Sequence, residues 1–328
     1  MTADDRGFRL RFFDFGDGRF ALTSPFWRRA RVRPASEAAK AFHPAPGGGG
    51  IALFEDACSL GEGAVMSPEG VLVAETVPSA PLRNSALRRD GAFYGVHIRP
   101  LTRMRRLTGD FIGLRGPGDG VYARWLIEQL PRIAIAAQFC DLSRFRVLVS
   151  RPSGAMEAIV RDSLGLFGIA AGRIEALGPA PAFVQRLVLP FSGGSVSAEA
   201  VEVLESFPLR VAGRPGAPRK IFVARDAEDA AISEMVRARG FVAVAPEKLS
   251  FAERIGFFAQ AEIVVAAEAA DLADAAFAPP GVSAIALGAR DETVGLIGDL
   301  LSAKKGRFLA LSPNDPASLA AALDEAHA

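Results

Sequence analysis

The sequence predicts an α/β protein, two α/β halves joined by a Gly/Pro linker and preceded by a β-rich extension. Three observations carry this. Between residues 219 and 287, apolar runs of four to six residues alternate with longer amphipathic stretches, the pattern of βαβ units on a parallel sheet. The same alternation begins near residue 108. Residues 211–218, VAGRPGAP, hold glycines and prolines with no periodicity, as linkers do. The boundaries follow: a β-rich extension over 1–107, a first α/β domain over 108–210, a linker over 211–218 and a second α/β domain over 219–328.

In the extension, Phe8, Leu10 and Phe12 alternate with arginines, and Gly16-Asp17-Gly18 reads as a hairpin turn before Phe20-Ala21-Leu22. Short strand candidates recur at 51–54, 64–66, 71–75 and 93–98, with a turn at Pro68-Glu69-Gly70. His43 and Gly47 to Gly50 read as loop. In the first α/β half, residues 110–114, 145–150, 173–177 and 185–189 read as strands. Helices are expected over 122–139, 155–167 and 198–209. Leu126, Leu130, Ile133 and Ala137 form the buried stripe of the first helix, which Pro131 should kink because it lacks an N–H. In the second half, strands are expected at 220–224, 241–244, 262–266, 282–287 and 308–311. Helices fill the gaps and the C-terminus, where Asp315 is a candidate N-cap. In such sheets ligands bind at the carboxyl ends of the strands, beside helix N-termini. Arg225 and Ala267-Glu268 stand at two of these ends.

Bulk properties narrow the function. The chain has 328 residues, half of them hydrophobic, enough for two ordinary cores. A net charge of +1 leaves no nucleic-acid footprint. Cys58 and Cys140 are too few for a disulfide framework or metal cluster and are expected as buried thiols. No apolar run approaches a membrane span, and residues 2–11 carry no signal pattern, so a cytoplasmic protein is expected. The excess of Arg over Lys and the presence of only two Asn suggest a GC-rich bacterial gene.

Two segments resemble family 61 glycosyltransferases of the capsular and exopolysaccharide type. The first, Tyr122-Ala123-Arg124-Trp125-Leu126-Ile127-Glu128-Gln129-Leu130-Pro131-Arg132, is similar to the family's Asn-aromatic-x-His-Trp-Leu-x-Glu/Asp-x-Leu-Pro-Arg. The second runs through Ile221 to Arg225, Ser233-Glu234, Gly240-Phe241, Pro246 to Phe251, Phe258 to Ala261 and Phe277 to Gly281, in the family's order. The resemblance implies two Rossmann-like domains in the GT-B arrangement. Residues 108–210 would be the acceptor side and 219–328 the nucleotide-sugar side, with no cofactor beyond the nucleotide sugar as substrate. It implies a glycan or lipid-linked acceptor and no metal requirement. The departures are specific. Arg124 stands where the family has His, Val121 and Ser233 where it has Asn. Glu268-Ala269-Ala270-Asp271-Leu272-Ala273-Asp274 stands where it has His-Gly-Ala-Gly-Leu-x-Asn. The glycines are thus replaced, by Ala269 and Asp271, and acidic groups stand where a helix N-terminus would meet a diphosphate. Two like charges about 4 Å apart at an effective dielectric of about 20 repel by about 4 kcal/mol before screening.

Each candidate has a functional and a structural alternative. Arg225 could grip a diphosphate bidentately or pair with Asp226 or Asp229. In the family reading Glu128 is the general base, with Arg124 and Trp125 on the acceptor side. Alternatively Arg124 and Glu128 form an i,i+4 ion pair worth a few tenths of a kcal/mol. Glu234 could bind a ribose or be a solvated helix residue. Glu268, Asp271 and Asp274 could hold Mg²⁺ through waters, against helix capping and solvated charge, which the cap preference of Asp favours. His43, His97 and His327 show no ligand spacing. Two functions follow: a nucleotide-sugar-dependent glycosyltransferase of surface polysaccharide synthesis, or a degenerate, non-catalytic relative that scaffolds polysaccharide-assembly proteins. A sugar-binding module reusing the crevice is a third.

Overall fold

The structure is a computed structural model. It describes residues 12–14, 19–22, 26–45, 49–61, 63–77, 87–90, 93–98, 103–194, 196–211, 216–224, 230–288, 293–312 and 315–326. The fold is mixed α/β with two sheets, one of them wholly parallel over its described strands. The chain forms two units. One comprises residues 1–120, 135–152 and 169–191, the other 121–134, 153–168 and 192–328.

The first unit is built on a mixed sheet. Ile174–Leu177, Arg146–Ser150, Arg103–Gly113 and Ala182–Phe191 lie side by side and parallel. Gly50–Ser59 then runs antiparallel to Ala182–Phe191 along its full length, from Gly50 opposite Phe191 to Ser59 opposite Ala182. Phe54, Phe111, Leu148, Leu187 and Leu189 pack together in its core. The candidate strands of the extension acquire partners here. Ala41–Pro44 pairs with Gly50–Ser59, so His43 is in a strand and not a loop, its ring stacked 6.2 Å from Phe139. Phe26–Arg33 lies between Val71–Val73 and Phe93–Ile98. The turn at Pro68-Glu69-Gly70 forms as expected: the Gly70 N–H donates to the Ser67 carbonyl at 2.9 Å, and Gly70 has φ +82°. The candidates at Phe8 and Gly16 to Gly18 lie outside the described residues.

The second unit carries the parallel sheet. Its strands stand in the order Val242–Val244, Lys220–Val223, Ile263–Ala266, Ser283–Ala286 and Arg307–Ala310. Numbered along the chain this is 2-1-3-4-5, a doubly wound order whose switch point falls between Lys220–Val223 and Ile263–Ala266. Of the three inner strands, Ile263–Ala266 and Ser283–Ala286 are buried at every residue and Lys220–Val223 at all but its first, as strands covered on both faces must be. The cross-strand row Phe222, Val265 and Ile285 packs against Ile232 and Val236 of the helix Ala230–Ala238 and Leu319 and Leu323 of Pro316–Ala326. Asp315 caps that last helix, accepting from the Ser318 N–H at 3.0 Å. The helix Phe251–Phe258 opens with a capping box between Ser250 and Glu253.

The segment around Pro131 departs from expectation. Instead of a kinked α-helix, Tyr122–Arg124 is α-helical, Trp125–Gln129 is a π-helical turn, and Arg132–Phe139 resumes the α-helix. Leu130 N–H reaches back five residues to the Trp125 carbonyl at 2.8 Å. Pro131 offers no donor, and its ring would crowd the carbonyl four residues earlier; the wider turn removes that clash. Leu126, Leu130 and Ile133 are buried as expected, but Ala137, one turn beyond Ile133 on the same helix, is exposed.

Candidate functional site

The polar groups of the second unit gather where Ile263–Ala266 ends. Ala267 and Glu268 lead there into a 3-10 helix, Ala269–Phe277. In this tighter helix, side chains three residues apart eclipse, so Asp271 and Asp274 lie on one edge. Asp274 is only 2% exposed. It is neither a cap nor a solvated charge, which corrects the sequence-based expectation. The Tyr122 hydroxyl donates to its Oδ1, and Arg254 Nη1 reaches its Oδ2 at 3.4 Å. The Arg254 guanidinium also lies over the Tyr122 ring, 4.7 Å from the centroid, a cation–π contact. Asp274 stays inside because the helix that bears it is anchored in rings: Phe277 packs 5.7 Å from Phe251 and 6.0 Å from Phe207.

The electrostatics follow from burial. Desolvation pushes the Asp274 carboxyl above the usual range; Arg254 and the Tyr122 hydrogen bond oppose it, and Asp271 adds to it. Burial, then the Asp274 charge, raises the Tyr122 phenol well above its ordinary value. Burial disfavours the Arg254 cation, but Asp274 and Tyr122 outweigh this and the group stays firmly protonated.

The residues singled out from sequence are placed as follows. Arg124 Nη1 lies 3.3 Å from Glu128 Oε2, so the i,i+4 pair forms, both side chains about a quarter exposed. Trp125 is buried, and its indole N–H donates to Ser163 Oγ at 3.1 Å. Gln129 and Arg132, of the same segment, bond to each other at 2.5 Å. Glu234 is exposed on the helix Ala230–Ala238. Glu268 stands at the N-cap position of the 3-10 helix without a side-chain capping bond. Arg225 lies outside the described residues, one residue past Ala224, which continues the switch-point strand. His97 stands opposite Trp27 in a strand pair, and His327 lies outside the described residues. Among the described residues no group of three or more His, Cys, Asp or Glu is placed to hold a metal.

Sequence reasoning missed Arg254. An arginine in a helical run reads as surface, yet this one is 8% exposed. The signal was the run Phe251-Ala252-Glu253-Arg254-Ile255-Gly256-Phe257-Phe258, where Phe251, Arg254, Ile255 and Phe258 fall on one helical stripe.

The first unit has its own buried cation. Arg115, two residues past the Arg103–Gly113 strand, is 3% exposed. It donates to Ser59 Oγ at 2.7 Å, to the Gly61 and Gly178 carbonyls at 2.7 and 3.2 Å, and to Ser150 Oγ at 3.3 Å. It therefore ties its own segment to three others of that unit. Nearby Asp119, in the glycine-rich loop that follows Arg115, accepts from the Gly116 N–H at 3.2 Å. That bond directs the N–H to a protein carboxylate. Cys58 is buried as expected, its thiol pushed up to about 12 by desolvation, whereas Cys140 is only half-buried.

Among the described residues no helix is long and apolar enough to cross a membrane. No curated protein matches the chain. The family model for Glycosyltransferase 61 matches residues 122–285, half of the chain. That match begins at Tyr122 and includes Arg254 and Asp274, so the buried cluster joins its two ends. By this match and by the motif order it spans, the chain belongs to glycosyltransferase family 61.

Proposed function

We propose that this protein is a nucleotide-sugar-dependent glycosyltransferase of bacterial capsular or extracellular polysaccharide synthesis, working in the cytoplasm on a glycan or lipid-linked hydroxyl acceptor. The observation that carries the reading is the 2-1-3-4-5 parallel sheet inside a family 61 match. Its switch point opens beside Ala224 and Ala267, and such a point is where doubly wound sheets hold nucleotides. In this reading Arg225 grips the diphosphate, Glu234 the ribose, and Glu268 borders the donor. Arg124, Trp125 and Glu128 belong to the acceptor-side segment, with Glu128 the family's candidate base. The GT-B arrangement is part of the same proposal. It is supported by the four parallel strands of the first unit, whose order along the sheet (3-2-1-4) is that of a Rossmann half.

A second reading, a non-catalytic scaffold for polysaccharide assembly, is favoured by one observation. Glu268 and Asp271 stand at the start of Ala269–Phe277, where a diphosphate would meet carboxylates in place of glycine backbone. Titration calorimetry with a panel of nucleoside diphosphates and their sugars separates the two. Micromolar binding of one nucleotide, abolished by Arg225→Ala, supports the transferase. A flat response from folded protein overturns it and favours the scaffold.

A further inference from the structure

Charge is spread unevenly along this chain. The net charge is +1, yet residues 19–33 hold five arginines and no acidic residue, and residues 83–106 hold seven arginines and one aspartate, Asp90. The rest of the chain is therefore net negative. The fold brings the two basic segments together. Phe26–Arg33 pairs with Phe93–Ile98, and Phe93–Ile98 pairs with Leu87–Asp90, the last strand in the order of the sheet. The segments meet again where Arg19 stands opposite Arg105.

Residues opposite each other in a strand pair share a face, and alternate residues return to it. One face of this three-stranded ribbon takes Trp27 and His97 in one row, Arg29, Gly95 and Arg88 in the next, and Arg31 and Phe93 beyond. Asp90, opposite Phe93, is its one acidic residue. The other face takes the aliphatic Leu87, Val96 and Ile98, with Arg28 and Arg89. The first face is thus the polar one, and its only large apolar residues are the aromatic Trp27 and Phe93. Arg29 and Arg31 stand about 7 Å apart along their strand. That is inside a Debye length of about 8 Å at physiological salt, so the arginines of this face act as one field. The exposed Arg33, Arg105 and Arg106 at the borders are already paired with Glu37, Glu175 and Asp56.

We propose that this face of the ribbon binds the anionic surface of a phospholipid bilayer. Arginine heads bond to lipid phosphates while their stems lie along apolar surface, and tryptophan settles at the level of the headgroups. The choice of a bilayer over another polyanion rests on this aromatic content and on the transferase reading above, in which a lipid-linked acceptor lies in a bilayer.

The test mixes the full chain with vesicles of phosphatidylcholine alone, or of phosphatidylcholine and phosphatidylglycerol in equal parts, and reads the bound fraction by co-sedimentation. Wild type should bind the anionic vesicles at least about tenfold more tightly than the neutral ones, and added salt should shrink the difference. Each arginine near such a surface contributes about fivefold, so the triple variant Arg29→Gln, Arg31→Gln, Arg88→Gln should lose about a hundredfold. The control pair Arg161→Gln, Arg307→Gln, exposed elsewhere, should lose less than about threefold. Trp27 emission should shift to the blue on anionic vesicles, and Trp27→Phe should lose the shift, since Trp125 is already buried. If the triple variant fails to fold, judged by its melting curve, the wild-type vesicle preference and Trp27→Phe decide. Equal binding to both vesicle types, an unshifted wild-type emission, or as large a loss in the control pair as in the triple variant overturns the proposal. Tighter binding to polyuridylate or hyaluronate than to the anionic vesicles at the same salt overturns it in favour of another polyanion. These readings need neither donor nor turnover, so their failure leaves the transferase reading standing. A flat nucleotide panel with vesicle binding intact overturns the transferase reading alone.

Discussion

Trp125 and Asp274 are both buried polar-bearing side chains, and their replacement should fail for different reasons. Trp125→Phe removes one indole donor and part of a large ring, leaving Ser163 with its own bond to the Val160 carbonyl at 3.2 Å. A loss of about 1–3 kcal/mol is expected, read from the urea midpoint. Asp274→Ala leaves Arg254 enclosed without its carboxylate, for which about 3–5 kcal/mol is expected. Arg124→Ala should cost well under 1 kcal/mol, its pair with Glu128 being partly hydrated. The residue scale is also where the sequence was least legible. A carboxylate three positions after another near a helix start reads as a cap; only packing from three separate segments shows that Asp274 is enclosed. Trp125 was legible as important, but its neighbour Ser163 lies 38 residues away, and no local pattern joins them.

At the scale of elements, the end of the helix Val294–Ala303 shows two constraints. Lys305 holds φ +56°, a conformation that suits glycine, and the Gly306 N–H closes on the Leu301 carbonyl at 2.7 Å. Lys305→Gly should stabilise by about 0.5–1 kcal/mol, whereas Gly306→Ala should destabilise, because a Cβ there would lie 2.3 Å from the Val282 carbonyl oxygen. Thermal melts of the two variants should therefore shift in opposite directions. The preceding residue, Lys304, is 1% exposed and donates to Glu205 at 2.9 Å. Burial lowers its pKa in the folded state, so between that value and the ordinary lysine value the unfolded chain binds more protons. Stability from this group accordingly rises as pH climbs towards the lysine range, and Lys304→Met should remove that rise. Glu205→Ala should cost more at neutral pH than Lys304→Met, since it strands a buried cation, while the methionine leaves a carboxylate that water can reach. The inner strands of the parallel sheet were readable because a strand covered on both faces must be a continuous apolar run. The π-helical turn was not, because Pro131 announces a missing bond but not how the backbone absorbs it.

For the whole molecule, nucleotide binding at the switch point has a thermodynamic signature. A ligand at about a hundred times its Kd should stabilise the fold by about 2.7 kcal/mol. Hydrogen exchange should show protection concentrated at Val223-Ala224 and Ala266-Ala267. Protection spread evenly over both sheets would place the nucleotide elsewhere. The α/β class and both regions of alternation were legible from periodicity. The partners of the N-terminal strands were not, since Gly50–Ser59 pairs with a strand that begins more than a hundred residues later. Such register is set by which faces must be buried once the chain has folded, and short alternating runs fit many registers equally well.

The π-helical turn at Trp125–Gln129 also gives this segment a length that cannot drift. A π turn holds one residue more than the α turn it replaces, so it behaves as a built-in insertion. Deleting one residue there would let a regular α-helix form with Leu130 and Ile133 still inward, and would swing Tyr122 by about 100° about the axis, off Asp274. Insertions and deletions tolerated in the loops of this protein should thus be selected against across these five positions, where a change of a single codon re-aims one end of the helix while leaving the other in place.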